Sequence, residues 1–201
     1  MAVITFSRQL GSLGYETAKL VARRTGYRLV VRELINQAAR RAGAPEVALA
    51  MIDEFNLLGV KPSPDEILAY LKAVELVMKE LAQAGDVIIV GRAGQILLAK
   101  WPGVLHVRII APVELRIERL ARRLNIPLQA ARAQVDASDR YHQNYFKRFY
   151  DTRWDDPSHY DLVLNTAKLG PEDAAEIICS ALGKCTCHAP ADISFLAGDP
   201  A

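Results

Sequence analysis

The stretch AVITFSRQLGSLGYETAKLVA, residues 2–22, decides how the rest of the chain is read. It opens on a short apolar strand, passes two glycines three apart (Gly11 and Gly14), and continues as an amphipathic helix. A strand, a glycine-containing loop and a helix start in that order bring backbone N–H groups and the positive end of a helix dipole to one point, where an anion can sit. Small residues let the backbone approach a phosphate closely, and Ser12 offers a hydroxyl donor. The alternative is an ordinary turn between strand and helix, which two glycines alone do not exclude. A phosphate-binding loop of the common kind carries a lysine after its last glycine, and this chain has Tyr15 there.

Working outward, strand and helix signals alternate as in an α/β domain. Strands are predicted at 2–6, 27–31, 86–91, 104–111 and 161–165, and helices at 15–25, 32–42, 46–58, 64–84 and from Pro171 to about Leu182. The run 112–150 reads as a helical section. Ser63 with Glu66 three residues later predicts a capping box at the head of the 64–84 helix. The unbroken apolar runs in DVIIVG and DLVLN suit strands covered on both faces, hence a parallel sheet of five strands.

The chain has 201 residues, of which 51% are hydrophobic and 24% charged, enough for one domain with its own core. No apolar run reaches the roughly 18 residues of a membrane span and no basic-then-apolar leader precedes AVITF, so the expectation is a cytoplasmic protein without a membrane partner. A net charge of +2 gives no argument for nucleic acid. Aromatic residues do alternate with basic ones around His142, Tyr145, Phe146 and Phe149, but at helical spacing they are expected to pack on a core rather than stack on bases. Cys185, Cys187 and His188 lie in KCTCHAP within a polar tail, residues 184–201, that is expected to be a solvated appendage; a zinc site would need a fourth ligand.

Charge at the loop must come from elsewhere if Tyr15 replaces a lysine. Arg8 stands at the loop's mouth and its guanidinium can take two phosphate oxygens at once; otherwise it is a surface side chain tying the loop to a carboxylate. Glu16 is read either as a residue near a magnesium ion or as a carboxylate favoured by the helix dipole. Arg92, in GRAG at 91–94, emerges at the carboxyl edge of the third strand, where ligands of open α/β sheets bind. Arg32 follows the second strand in the same way. Asp53 can read an amine or lie on a solvated helix face. Residues 116–153 carry nine basic side chains against four acidic ones.

Taken in order, SRQLGSLGYETAK, VGRAGQILL, APVELRIERLARR, DASDRY and YDLVLNT resemble the cytidylate kinase-like family of the P-loop nucleoside monophosphate kinases, over residues 1 to about 182. The resemblance implies a three-layer P-loop fold on a five-stranded parallel sheet. It further implies a helical acceptor-binding insertion at about 32–84 and a helical lid at about 116–153, both within one domain at 1–183. It implies ATP with Mg²⁺ as cofactors, small-molecule nucleotides as partners, and transfer to a nucleoside monophosphate, CMP or dCMP first. Gly14 and Thr17 match the family's loop, Tyr15 and Glu16 depart from it, and the group's S-R-Q-x-G-S opening goes without the lysine. On this reading Gly11, Ser12, Leu13, Gly14, Tyr15, Glu16 and Thr17 hold the ATP phosphates, with Glu16 or Thr17 available to magnesium, and Arg119 and Arg123 flank the nucleotide. Arg32, Arg92, Gly94 and Asp53 then meet the acceptor, and Arg8, Arg140 and Arg148 supply charge to the transferring group. A different class of function stays open: a non-catalytic nucleotide-binding regulator, favoured by the absent lysine.

Overall fold

The computed structural model describes residues 2–31, 37, 38, 40, 41, 43 and 63–185. The elements follow one another as β1 (Val3–Arg8), α1 (Gly14–Thr25), β2 (Arg28–Val30), α2 (Pro64–Ala84), β3 (Val87–Val90), α3 (Gly94–Leu97), β4 (Val104–Ile110), α4 (Val113–Leu124), α5 (Leu128–Tyr150), β5 (Leu162–Asn165) and α6 (Pro171–Cys185). All five strands are parallel, in the order β2-β3-β1-β4-β5, so β1 occupies the centre with β3 and β4 at its sides. Ile4 lies opposite Ile88 on one side and Leu105 on the other.

Side chains alternate across a strand, and here the two faces have different covers. Ile4, Phe6, Ile88, Leu105, Val107 and Ile109 pack with Ala18 and Val21 of α1 and with Ile178 and Leu182 of α6. On the opposite face Val3, Val87 and Ile89 meet Tyr70, Val74, Val77, Met78 and Leu81 of α2, together with Tyr145 and Phe146 of α5. Each fully buried Leu, Met or Phe of these layers is worth about 1.5–3 kcal/mol relative to exposure. A third, smaller cluster joins Ile117, Leu120 and Ala121 of α4 to Ala131 and Val135 of α5.

Local chemistry explains where elements begin and end. The Ser63 hydroxyl accepts from Glu66 N (3.3 Å) and the Glu66 carboxylate accepts from Ser63 N (2.8 Å), forming the expected capping box. The helical section at 112–150 consists of two helices, α4 and α5. Asn125 turns the chain at φ 53° and Pro127 precedes the first residue of α5. DLVLN differs from its expected burial on both faces: β5 has a neighbour on one side only and Val163 is exposed. α6 runs past Gly183 to Cys185, a glycine cost of about 1 kcal/mol that the helix tolerates. The predicted helices at 32–42 and 46–58 lie largely or wholly outside the described residues, as do Cys187 and His188. Among the described residues no helix is long and apolar enough to cross a membrane.

Candidate active site

At the carboxyl end of β1 the chain leaves the sheet and returns as α1 through residues 9–13. Gln9 N donates to Ile109 O (3.1 Å), so the loop starts pinned to β4. Gly11 (φ 81°) and Leu13 (φ 62°) then turn it through left-handed conformations. Neither Gly11 nor Gly14 has room for a side chain. A Cβ on Gly11 would stand 2.6 Å from the Arg116 carbonyl, and one on Gly14 2.5 Å from Cβ of Arg8. The first turn of α1 has no side-chain cap, which leaves the leading N–H groups of Gly14, Tyr15 and Glu16 without carbonyl partners inside the helix. An anion is the natural acceptor for such a turn.

This turn forms one wall of a cleft of about 1100 Å³ lined by Arg8, Gly11, Leu13, Gly14, Tyr15 and Glu16, with Arg119, Arg122 and Arg123 of α4 facing them. Ser12 and Thr17 are fully buried beneath. The Ser12 hydroxyl, expected to donate to a phosphate, donates to Gln9 O instead (2.8 Å), and Thr17 donates to Leu13 O (2.9 Å). Tyr15, in the lysine's place, carries the ammonium of Lys19 over its ring at 4.5 Å. Glu16 faces Arg123 at 3.7 Å across the cleft mouth.

The arginines of α4 have distinct duties. Arg119 donates to the Thr166 hydroxyl (3.0 Å) and carbonyl (2.7 Å), and the same hydroxyl donates to Ser12 O (2.8 Å). Thr166 thus holds the loop and a cleft arginine with one side chain. Burial pulls the Arg119 guanidinium below its ordinary value, while Glu16 works against it. Arg116 is buried and reaches Ala111 O (3.1 Å), Leu10 O (3.4 Å) and both oxygens of Asp139 (3.1 and 2.7 Å). Asp139, half of the lid motif on sequence grounds, is therefore the anchor of α5 on α4. Arg140 and Arg148 are exposed on α5 and are not among the residues lining the cleft; Arg148 lies over the Phe149 ring at 5.1 Å.

Beyond β3, Arg92 and Ala93 both take φ 56° after Gly91 at φ 84°. Gly94 opens α3 so close to β1 that a Cβ would meet Thr5 Cγ2 at 2.9 Å. Arg92 is half-buried and hydrogen-bonded to the hydroxyls of Tyr141 and Tyr145. Burial lowers its affinity for a proton, but the surrounding tyrosines Tyr70, Tyr141 and Tyr145 outweigh that and hold it above its ordinary value. Arg32 and Asp53 lie outside the described residues.

Sequence reasoning missed Arg108. It is 3% exposed in the middle of β4 and donates to Ser7 Oγ (3.3 Å), Trp154 O (2.8 Å) and Tyr160 Oη (3.1 Å), with the Trp154 ring 4.2 Å from its guanidinium carbon. A charged residue inside the apolar run VLHVRII was the available signal.

The sequence profile of the cytidylate kinase-like family matches residues 3–168. A cytidylate kinase of Methanocella arvoryzae is 29% identical over 184 residues, 90% of this chain and 96% of that protein. One of Methanopyrus kandleri is 32% identical over 112 residues, 52% of this chain, and the match spans 58% of that protein's own length. Among solved structures, a shikimate kinase from Acinetobacter baumannii superposes with a TM-score of 0.53 at 14% identity, covering 92% of this chain and 94% of that one, a likeness of fold alone. The loop ahead of α1, the GRAG turn after β3 and the strand order all fall inside the matched residues, and the chain belongs to the cytidylate kinase-like family.

Proposed function

We propose that this protein transfers the γ-phosphoryl group of ATP to a nucleoside monophosphate, with CMP or dCMP as the acceptor, in the cytoplasm. The observation that carries the reading is the cleft itself: an uncapped helix start with leading amides without helical partners, facing Arg8, Arg119, Arg122 and Arg123. The amides and Arg8 receive the donor phosphates, and Arg119 and Arg123 flank the nucleotide. Arg92 and Gly94, at the edge of β3, take the acceptor, with Arg32 and Asp53 as further acceptor contacts. An oxygen of the acceptor phosphate attacks the γ-phosphorus in line and ADP departs, so the chain needs no nucleophile of its own. Its work is positioning and placing positive charge.

Mg²⁺ accompanies ATP and neutralises charge between its phosphates. Thr17 suits it better than Glu16, because the Thr17 hydroxyl keeps its lone pairs after donating to Leu13 O, whereas Glu16 already pairs with Arg123. Residues 116–153 act as the lid. Arg140 and Arg148, exposed on α5, reach the transferring group only when that lid moves. Arg140→Ala is then expected to lower kcat on the order of 10³-fold while ATP affinity changes only a few-fold.

Tyr15 in the lysine's place favours a second reading, a nucleotide-binding regulator without catalysis. A coupled ADP-release screen of the nucleoside monophosphates with MgATP separates the two. Turnover that is fastest with CMP or dCMP supports the kinase. ATP binding with no turnover on any acceptor supports the regulator.

A further inference from the structure

Tyr70 of α2 is fully buried, and its hydroxyl has no hydrogen-bond partner among the described residues. Buried polar groups are almost always paired, and leaving one unpaired is costly. Within a largely aliphatic cluster, three other tyrosines lie near it. Tyr70 shares a cluster with Tyr145, against which Tyr141 and Tyr150 also pack. The Tyr141 and Tyr145 rings stack at 6.2 Å, and the Tyr145 and Tyr150 hydroxyls are 3.4 Å apart. Into this group projects Arg92, bonded to Tyr141 and Tyr145 and close enough for its charge to act on Tyr70. Burial pushes the Tyr70 phenol up to about 12, so it remains an O–H donor at neutral pH. Arg108 adds a second buried positive charge on the same face of the sheet; among the described residues its hydrogen-bond acceptors are Ser7, Trp154 O and Tyr160, and Asp155 lies near enough to feel its charge.

We propose that Tyr70, with Tyr141 and Arg92, forms a cage for the phosphate of the acceptor, and that the Tyr70 hydroxyl donates to one of its oxygens. The inference rests on the reading of Arg92 as an acceptor residue and extends it to the tyrosines. A phosphate monoester has three terminal oxygens. A guanidinium fork engages two, which leaves one for a phenol donor. Arg92 and Tyr141 are half-buried, so the cage opens to solvent on their side, with Tyr70 as its floor.

Tyr70→Phe removes the hydroxyl and keeps the ring. The expected result is an unliganded Tm equal to or above that of wild type, a KM for the nucleoside monophosphate raised about tenfold or more, and an unchanged Kd for ATP. The rise in Tm that CMP or millimolar inorganic phosphate gives the wild type is expected to shrink in the variant. A purely structural Tyr70 would move Tm and leave KM and the ligand-induced shift alone, and that result overturns the cage. If the wild type turns over no monophosphate, yet CMP or phosphate raises its Tm and Tyr70→Phe abolishes the rise, the cage stands and the kinase reading falls. If neither ligand shifts the wild type and no transfer occurs, both fall.

Discussion

Gly14 sits where one methyl group cannot be added, because its Cβ would lie 2.5 Å from that of Arg8. Gly14→Ala is expected to displace Arg8 and the first turn of α1 at about 1–3 kcal/mol, which calorimetry would record as a lower Tm and a weaker Kd for ATP. Thr166 tests the opposite wall. Thr166→Val removes the hydroxyl shared by Arg119 and Ser12 O and leaves Arg119 only the carbonyl of residue 166, at about 1–3 kcal/mol; a KM for ATP several-fold higher is expected, with Thr166→Ser restoring it. An unchanged KM in Thr166→Val would mean that Arg119 finds its place without this tether. At this scale the sequence was legible where geometry is written into residue type, as at Gly11 and Gly14. It was less so for arginines. Nine basic residues in 116–153 look alike in composition, yet Arg116 is buried and Arg140 exposed. The spacing did hold a clue, since position 116 lies one turn before Leu120 on the apolar stripe of α4.

Between elements, the joint of α4 with α5 is a small apolar cluster, the buried bidentate ion pair Arg116–Asp139 and an exposed pair, Arg132–Glu114. Asp139→Ala would strand a guanidinium that is almost wholly buried, at a cost of about 3 kcal/mol or more. Urea unfolding of this variant is expected to show that loss, and the paired change Arg116→Met with Asp139→Leu to recover much of it. Equal destabilisation in the single and double variants would show that packing, not charge, sets the joint. The capping box of α2 could be read directly because its two residues are three apart. The break between α4 and α5 was also written in the chain, at Asn125 and Pro127, but the surrounding helical pattern masked it. That β5 is an edge strand could not be read from DLVLN, since apolar residues suit an edge with one covered face as well as a central strand.

For the molecule as a whole, strand order is a property of pairing between distant segments, and only the loop and turn motifs hinted at it. The same long-range pairing creates a pH dependence. His106 is buried on β4 with Nδ1 2.7 Å from the Thr5 hydroxyl. Burial holds its pKa below the ordinary histidine value, and the nearby Asp161 offsets only part of this. As pH falls through about 6.5 the unfolded chain takes up a proton that the folded one refuses, so stability declines, by at most about 1.4 kcal/mol per pH unit for this group. Glu66, Glu80 and Asp151 have lowered values and add their dependence only at more acidic pH. Denaturation midpoints from pH 7 to 5 are expected to fall in wild type and to be flatter in His106→Gln; the same slope in both would assign it to another group. The Arg108 site has an optical consequence. Trp154 donates its indole N–H to Ser7 at the end of β1, lies against a fixed cation, and stacks at 4.6 Å on His142 of α5. With Trp101, the chain's other tryptophan, replaced by phenylalanine, indole emission excited beyond the tyrosine absorption band comes only from the junction of the sheet with α5. Any nucleotide that shifts α5 against β1 would then alter quenching of that indole by its histidine neighbour, giving the protein a built-in gauge of closure that needs no attached dye.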